Sequence, residues 1–139
     1  MTRARVLFVC THNSARSQMA EGLLRAHADD RFEAFSAGTE ATAVRPEAID
    51  AMAELGIDIA SQESKSIDRY IGQPWDWVIT VCDQARDACP YVPGARATLH
   101  WSVEDPSLVD ADPQARQAAF RTARDDLADR VRRFVEETR

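Results

Sequence analysis

The segment Val6-Leu7-Phe8-Val9-Cys10-Thr11-His12-Asn13-Ser14-Ala15-Arg16-Ser17 constrains this chain more than any other. Its apolar, β-branched opening reads as a buried parallel strand. The strand empties into a short polar loop, and a helical pattern follows at once. Strand, tight loop and helix N-terminus together gather backbone N–H groups around one point, which is how proteins hold a tetrahedral oxyanion. Cysteine opens the loop and arginine closes it six positions later. Those donors and the Arg16 guanidinium favour the thiolate of a cysteine at the rim of the cradle. Nucleophile and anion site then coincide, with Thr11, His12, Asn13, Ser14, Ala15 and Arg16 as the oxyanion-binding residues. Asn13, Ser14 and Ser17 are the small polar residues that a tight loop of this kind uses.

At 139 residues the chain reads as one domain, 1–139, large enough for a core without metal or disulfide staples. Its 17 basic and 23 acidic residues give a net charge of −6 with no basic stripe, which argues against nucleic acid and anionic membrane as partners. An anionic substrate is then captured by local donors. Met1 to Arg5 leads into only four apolar residues, too few for a signal-peptide core or a span. The expectation is a cytoplasmic monomer whose three cysteines are reduced thiols.

Apolar periodicity and stop signals predict strands at Arg5–Val9, Phe32–Ala37, Trp75–Val81 and Ala95–Trp101. Helices are predicted from Ser17 to about Ala28, from Pro46 to Leu55 with Gly56 just past the end, and from the Asp112-Pro113 cap onward. Strands alternating with helices imply an α/β, three-layer sandwich around a four-stranded parallel sheet. In flavodoxin-like order, the loop after the first strand lies at a switch point where ligands bind. The Cys10 loop occupies that place.

Three further groups carry chemistry. Glu104-Asp105-Pro106 follows the last strand, and the proline restricts Asp105 to an extended backbone, so its carboxyl can be aimed. A carboxylic acid above an oxyanion site protonates a leaving oxygen. Glu104, Asp110 and Asp112 are rival acids, and a solvated turn is the plainer alternative. Cys82 and Cys89 bracket a polar segment after the third strand and can form a disulfide if that loop rearranges; two inert thiols are the other reading. Zinc is disfavoured because no second ligand pair accompanies them. Asn13, Glu21, Ser36 and Lys65 form a candidate support group for the loop, with Asn13 tolerant of a left-handed backbone. His27 and His100 read as ordinary surface or strand-end residues.

With these residues assembled, the chain resembles the thioredoxin-coupled arsenate reductases built on the low-molecular-weight protein tyrosine phosphatase fold. The resemblance runs through Cys10-x5-Arg16-Ser17, Gln18-Met19-Ala20-Glu21-Gly22, Phe35-Ser36-Ala37-Gly38, Val81-Cys82, Cys89-Pro90 and Asp105-Pro106. It implies arsenic detoxification by reduction of arsenate to arsenite. Cys10 attacks arsenate held by the loop and Arg16, Asp105 assists the leaving oxygen, and Ser17 hydrogen-bonds the Cys10 sulfur. Cys82 then forms a disulfide with Cys10, Cys89 moves it to Cys82–Cys89, and thioredoxin or a similar dithiol reduces it. Electrons come from the protein's own thiols, so the resemblance implies no cofactor and no metal.

Two departures qualify the resemblance. His12 stands where the family usually has glycine, and Ala15 where many relatives have a second loop cysteine. Some reductases bind potassium through residues like Asn13, Glu21 and Ser36 plus an acidic group; here that last position is Lys65, whose ammonium stands in for the ion. A phosphatase acting on phosphotyrosine or small phosphate esters would use Cys10, Arg16 and Asp105 alike, and weak phosphatase activity can coexist with reduction. A non-enzymatic phosphate- or flavin-binding module is the third reading.

Overall fold

The computed structural model describes residues 3–83, 92–110 and 112–138. Four strands, β1 (Ala4–Cys10), β2 (Phe32–Gly38), β3 (Trp75–Thr80) and β4 (Ala95–His100), form one sheet in the order β2-β1-β3-β4, every pairing parallel. This is the predicted order, with β1 central and its C-terminal end at the switch point. Helix α1 (Arg16–Ala28) follows β1, α2 (Pro46–Ala53) follows β2, and α3 (Pro113–Glu137) closes the chain. Short 3-10 turns at Ile67–Arg69 and Pro106–Leu108 were not legible as periodic segments.

Strand alternation sorts the apolar side chains between two cores. Val6, Phe8, Ile79 and Trp101 face α1, α2 and α3, where they meet Met19, Leu24, Met52 and Phe120. Leu7, Val9 and Val78 face the other way, against Ile67, Tyr70, Trp75 and Val92. Phe134 anchors α3 to the sheet, its ring 5.3 Å from Phe32 and 5.2 Å from Trp77. Burying such large rings is worth about 1.5–3 kcal/mol each.

Helix ends follow local chemistry. Asp112 caps α3 by accepting from the Ala115 amide at 2.8 Å, as predicted. The second helix stops at Ala53, two residues before the predicted end, and a turn through Gly56 at φ 75° completes it. Helix α1 departs most from a one-sided stripe: every residue from Arg16 to Leu24 is buried, polar ones included. Its polar side is turned onto the Cys10 loop and the Glu21 cluster, so it finds partners there instead of water.

Ion pairs tie α2 to α3. Glu47 accepts from Arg116 at 2.6 Å, while Glu54 meets Arg121 at 2.9 Å and Arg124 at 2.7 Å. Hydrogen bonds from Arg121 and then Arg124 hold the Glu54 carboxyl down at about 2, from an ordinary 4.5. The folded carboxyl thus keeps its charge where the unfolded one takes a proton. The pairing contributes fully above pH 4.5 and is lost as pH falls towards 2. Thermal unfolding scans should show Glu54→Gln with a lower Tm than the parent at pH 6, the two converging near pH 2. A constant gap would contradict this assignment.

Candidate active site

Strand β1 and helix α1 deliver the Cys10 and Arg16 ends of the loop at the C-terminal edge of the sheet. Cys10 is 2 % exposed, and its sulfur lies 2.8 Å from Ser17 Oγ. Asn13 Nδ2, which can only donate, gives its proton to the same oxygen at 2.8 Å. The Ser17 hydroxyl proton is therefore available to the sulfur, which suits a thiolate. Asn13 takes φ 51°, the left-handed conformation its side chain tolerates. Its Oδ1 accepts from the Lys65 amide at 2.7 Å and from Gln18 Nε2 at 2.8 Å. A fixed chain of donors thus runs from Lys65 through Asn13 and Ser17 to the nucleophile.

Arg16 is 3 % exposed. Its Nη1 donates to the Val103 carbonyl at 3.0 Å, and its Nη2 stands 3.6 Å from Asp105 Oδ2. Asp105 is extended, as its proline requires, and its Oδ1 accepts from the Ser107 amide at 2.9 Å and from Ser107 Oγ at 2.6 Å. Arg116 Nη1 holds the Ser107 carbonyl at 2.7 Å and so backs this loop with α3. The rivals separate on geometry: Glu104 and Asp110 are exposed, and Asp112 is spent as a helix cap. Among the described residues, Asp105 is the acid that reaches the guanidinium.

Cys82 is fully buried just past β3, with its sulfur 3.9 Å from the Val9 carbonyl on the neighbouring strand. The Val81 amide donates to that carbonyl at 2.9 Å, so the pairing of β1 and β3 carries the chain up to Cys82. Cys10 and Cys82 therefore stand at adjacent strand ends, both as thiols. Cys89 lies outside the described residues. Between Asp83 and Asp105 opens a cavity of about 690 Å³ floored by Val103, Val109 and Ala123.

The support group is assembled with one difference. Glu21 Oε1 accepts from Ser36 Oγ at 2.6 Å and faces Lys65 Nζ at 3.4 Å; that ammonium also lies 3.5 Å from Ser36 Oγ and donates to the Glu63 carbonyl at 2.7 Å. Asn13 joins through the Lys65 backbone amide and not through the ammonium. A cation ligated by Glu21 and Ser36 does not fit beside an ammonium in that position. His12 turns its ring to Glu40, 3.4 Å away, on the outer side of the loop. Thr11 Oγ1, by contrast, is buried with no hydrogen-bond partner among the described residues.

Sequence reasoning missed three contributors. Gln18 braces Asn13 and the Glu63 carbonyl, and its only signal was a place in a motif. Arg25 pairs with Glu21 at 2.7 Å, a spacing of four that a helix reading could have found. Gly38 lies against the loop so closely that a Cβ there would stand 2.6 Å from the Thr11 carbonyl oxygen and 2.7 Å from the Asn13 nitrogen.

Residues 5–139 match the family described as low molecular weight phosphotyrosine protein phosphatase. The arsenate reductase of Halalkalibacterium halodurans is 40 % identical over 136 residues, 98 % of each chain. Among solved structures, an arsenate reductase in the phosphate-binding state is similar at a TM-score of 0.79 and 32 % identity, covering 96 % of this chain and 98 % of that one. A low molecular weight protein tyrosine phosphatase from T. tengcongensis is similar at 0.74 and 26 % identity, covering 96 % and 99 %. Among the described residues, no helix is long and apolar enough to cross a membrane.

Proposed function

We propose that this chain, which belongs to the low molecular weight phosphotyrosine protein phosphatase family, is an arsenate reductase that reduces arsenate to arsenite with its own thiols. The observation that carries this reading is the placement of two thiols, Cys10 and Cys82, at adjacent strand ends beside one anion loop. A hydrolase needs only the first.

Arsenate sits on the amides of residues 11–16 and on Arg16, with Thr11 Oγ1 as a further donor. The Cys10 thiolate attacks arsenic, and Asp105 gives its proton to an oxygen that leaves as water. Cys82 thiolate then attacks the Cys10 sulfur. The S–As bond breaks, its electron pair stays on arsenic, As(V) becomes As(III), and arsenite departs from a Cys10–Cys82 disulfide. Cys89 thiolate displaces Cys10 from Cys82, leaving Cys82–Cys89 for a dithiol protein such as thioredoxin. The whole chain acts as one cytoplasmic domain, as a monomer, and the chemistry calls on no cofactor beyond thiols. Arsenite production with thioredoxin, thioredoxin reductase and NADPH tests the relay: Cys89→Ser should lose turnover, and full turnover by that variant would overturn it.

A second activity is favoured by the Cys10, Arg16 and Asp105 group, which suffices to hydrolyse a small phosphate ester through a phosphocysteine. Such hydrolysis should accompany reduction weakly. The Lys65 ammonium takes the part that potassium plays in some relatives, neutralising Glu21 beneath Asn13. Exchanging sodium for potassium at constant ionic strength should leave arsenate turnover within about twofold, whereas Lys65→Met should lower it about tenfold by leaving Glu21 less compensated. A large potassium activation of the parent protein would contradict that role.

A further inference from the structure

An anion loop has to aim its amides, and the outer side of this one bears on how. The Thr11 carbonyl accepts from the Glu40 amide at 2.9 Å, and the Ser14 carbonyl from the Arg45 amide at 2.8 Å. The His12 carbonyl is held by side chains instead, Ser64 Oγ at 3.2 Å and Thr42 Oγ1 at 3.5 Å. Ser64 Oγ also accepts from the Thr42 amide at 3.0 Å, so one hydroxyl joins the 39–45 segment to the loop. In a planar trans peptide, C=O and N–H point in opposite directions. Anchoring the carbonyls of Thr11, His12 and Ser14 outward therefore turns the amides of His12, Asn13 and Ala15 inward.

Backbone donors hold two of those three peptide units. The third, between His12 and Asn13, is held by hydroxyls. It also precedes the one described non-glycine residue at positive φ, so ordinary backbone preference restrains it least. We propose that Ser64, seconded by Thr42, is a positioning residue that aims the Asn13 amide at a bound tetrahedral oxyanion. This rests on the oxyanion-site reading above. Neither residue belongs to the Cys10–Ser17 motif, and Ser64 acts from 52 residues away along the chain.

Inorganic phosphate is the probe, and its protection of Cys10 against iodoacetamide is the measurement. Ser64→Ala should raise the protecting phosphate concentration about tenfold, a hydrogen bond's worth. Ser64→Thr should restore it, and Thr42→Val should raise it about threefold. The alkylation rate without phosphate should stay within twofold of the parent's in all three. Unchanged protection in Ser64→Ala would overturn the proposal. So would faster alkylation without phosphate, which is the mark of a generally loosened loop. If Ser64→Ala does not fold, Thr42→Val decides on the same two measurements. A parent protein that phosphate does not protect would remove the anion-site reading itself, and the role of Ser64 with it.

Discussion

Cys10→Ser is expected to abolish arsenite production and phosphate-ester hydrolysis together, while Cys82→Ser abolishes the first and spares the second. The buried Cys10 sulfur is the atom on which Ser17 converges at the mouth of the anion loop, so both reactions begin there. A serine hydroxyl in its place lacks the thiolate's nucleophilicity, and losses on the order of 10⁴-fold or more follow in each assay. Cys82 stands one strand over, its sulfur 3.9 Å from the Val9 carbonyl, and in the proposed relay it serves as the reductant and not as an oxyanion ligand. Its loss removes the electron donor for the S–As bond and leaves ester hydrolysis within about threefold. Arsenite production by thioredoxin-coupled assay and release of a chromogenic phenol measure the two arms. Equal loss of both activities in Cys82→Ser would contradict the division of labour.

Gly38→Ala is expected to impair reduction and hydrolysis together, although the added methyl touches no substrate. The added carbon would stand 2.6 Å from the Thr11 carbonyl oxygen, 2.7 Å from the Asn13 nitrogen and 3.0 Å from the Cys10 carbonyl oxygen. All three are backbone atoms, so no flexible side chain can yield. Strand β2 is pinned by its pairing of Gly38 with Cys10, and the Gly38 amide is held by the Lys65 carbonyl at 2.9 Å. The anion loop must therefore give way by up to about 1 Å to bring the 2.6 Å approach to ordinary contact. Displacement on that scale costs catalytic alignment about 10²-fold. Reduction and hydrolysis should fall together by that factor, with phosphate protection of Cys10 weakened in step. Near-normal kinetics would show that the loop and β2 do not share that contact at work.

What could be read in the sequence was whatever is local. The apolar run Val6–Val9, the Cys10 to Arg16 spacing and the helix after it specify one supersecondary unit, and the Asp112-Pro113 cap and the Asp105-Pro106 bend are encoded by neighbours. The Ser17 bond to the Cys10 sulfur was implied by the resemblance, and the two atoms stand 2.8 Å apart across seven positions. Asp105 was preferred over Glu104, Asp110 and Asp112 on the resemblance; the tertiary structure adds its 3.6 Å approach to Arg16, while Asp112 is spent as the helix cap. Gln18 and Gly38 stood out only as motif positions and Ser64 not at all: they meet backbone atoms brought close by folding, and no residue pattern records a carbonyl that needs holding. Lys65 was placed beside Glu21 and Ser36 as expected, but its tie to Asn13 runs through the main chain. The Cys82–Cys89 exchange rests on chemistry and family resemblance alone, since Cys89 lies outside the described residues.

The central claim is that two electrons pass from this protein's thiols to one arsenate, and a single turnover tests it. Fully reduced protein mixed with excess arsenate and no external reductant should release one arsenite per chain. Two thiols should disappear in step, and peptide mapping should find the bond between Cys82 and Cys89. Release of arsenite with no loss of thiols, or equal release from Cys82→Ser, would contradict the account.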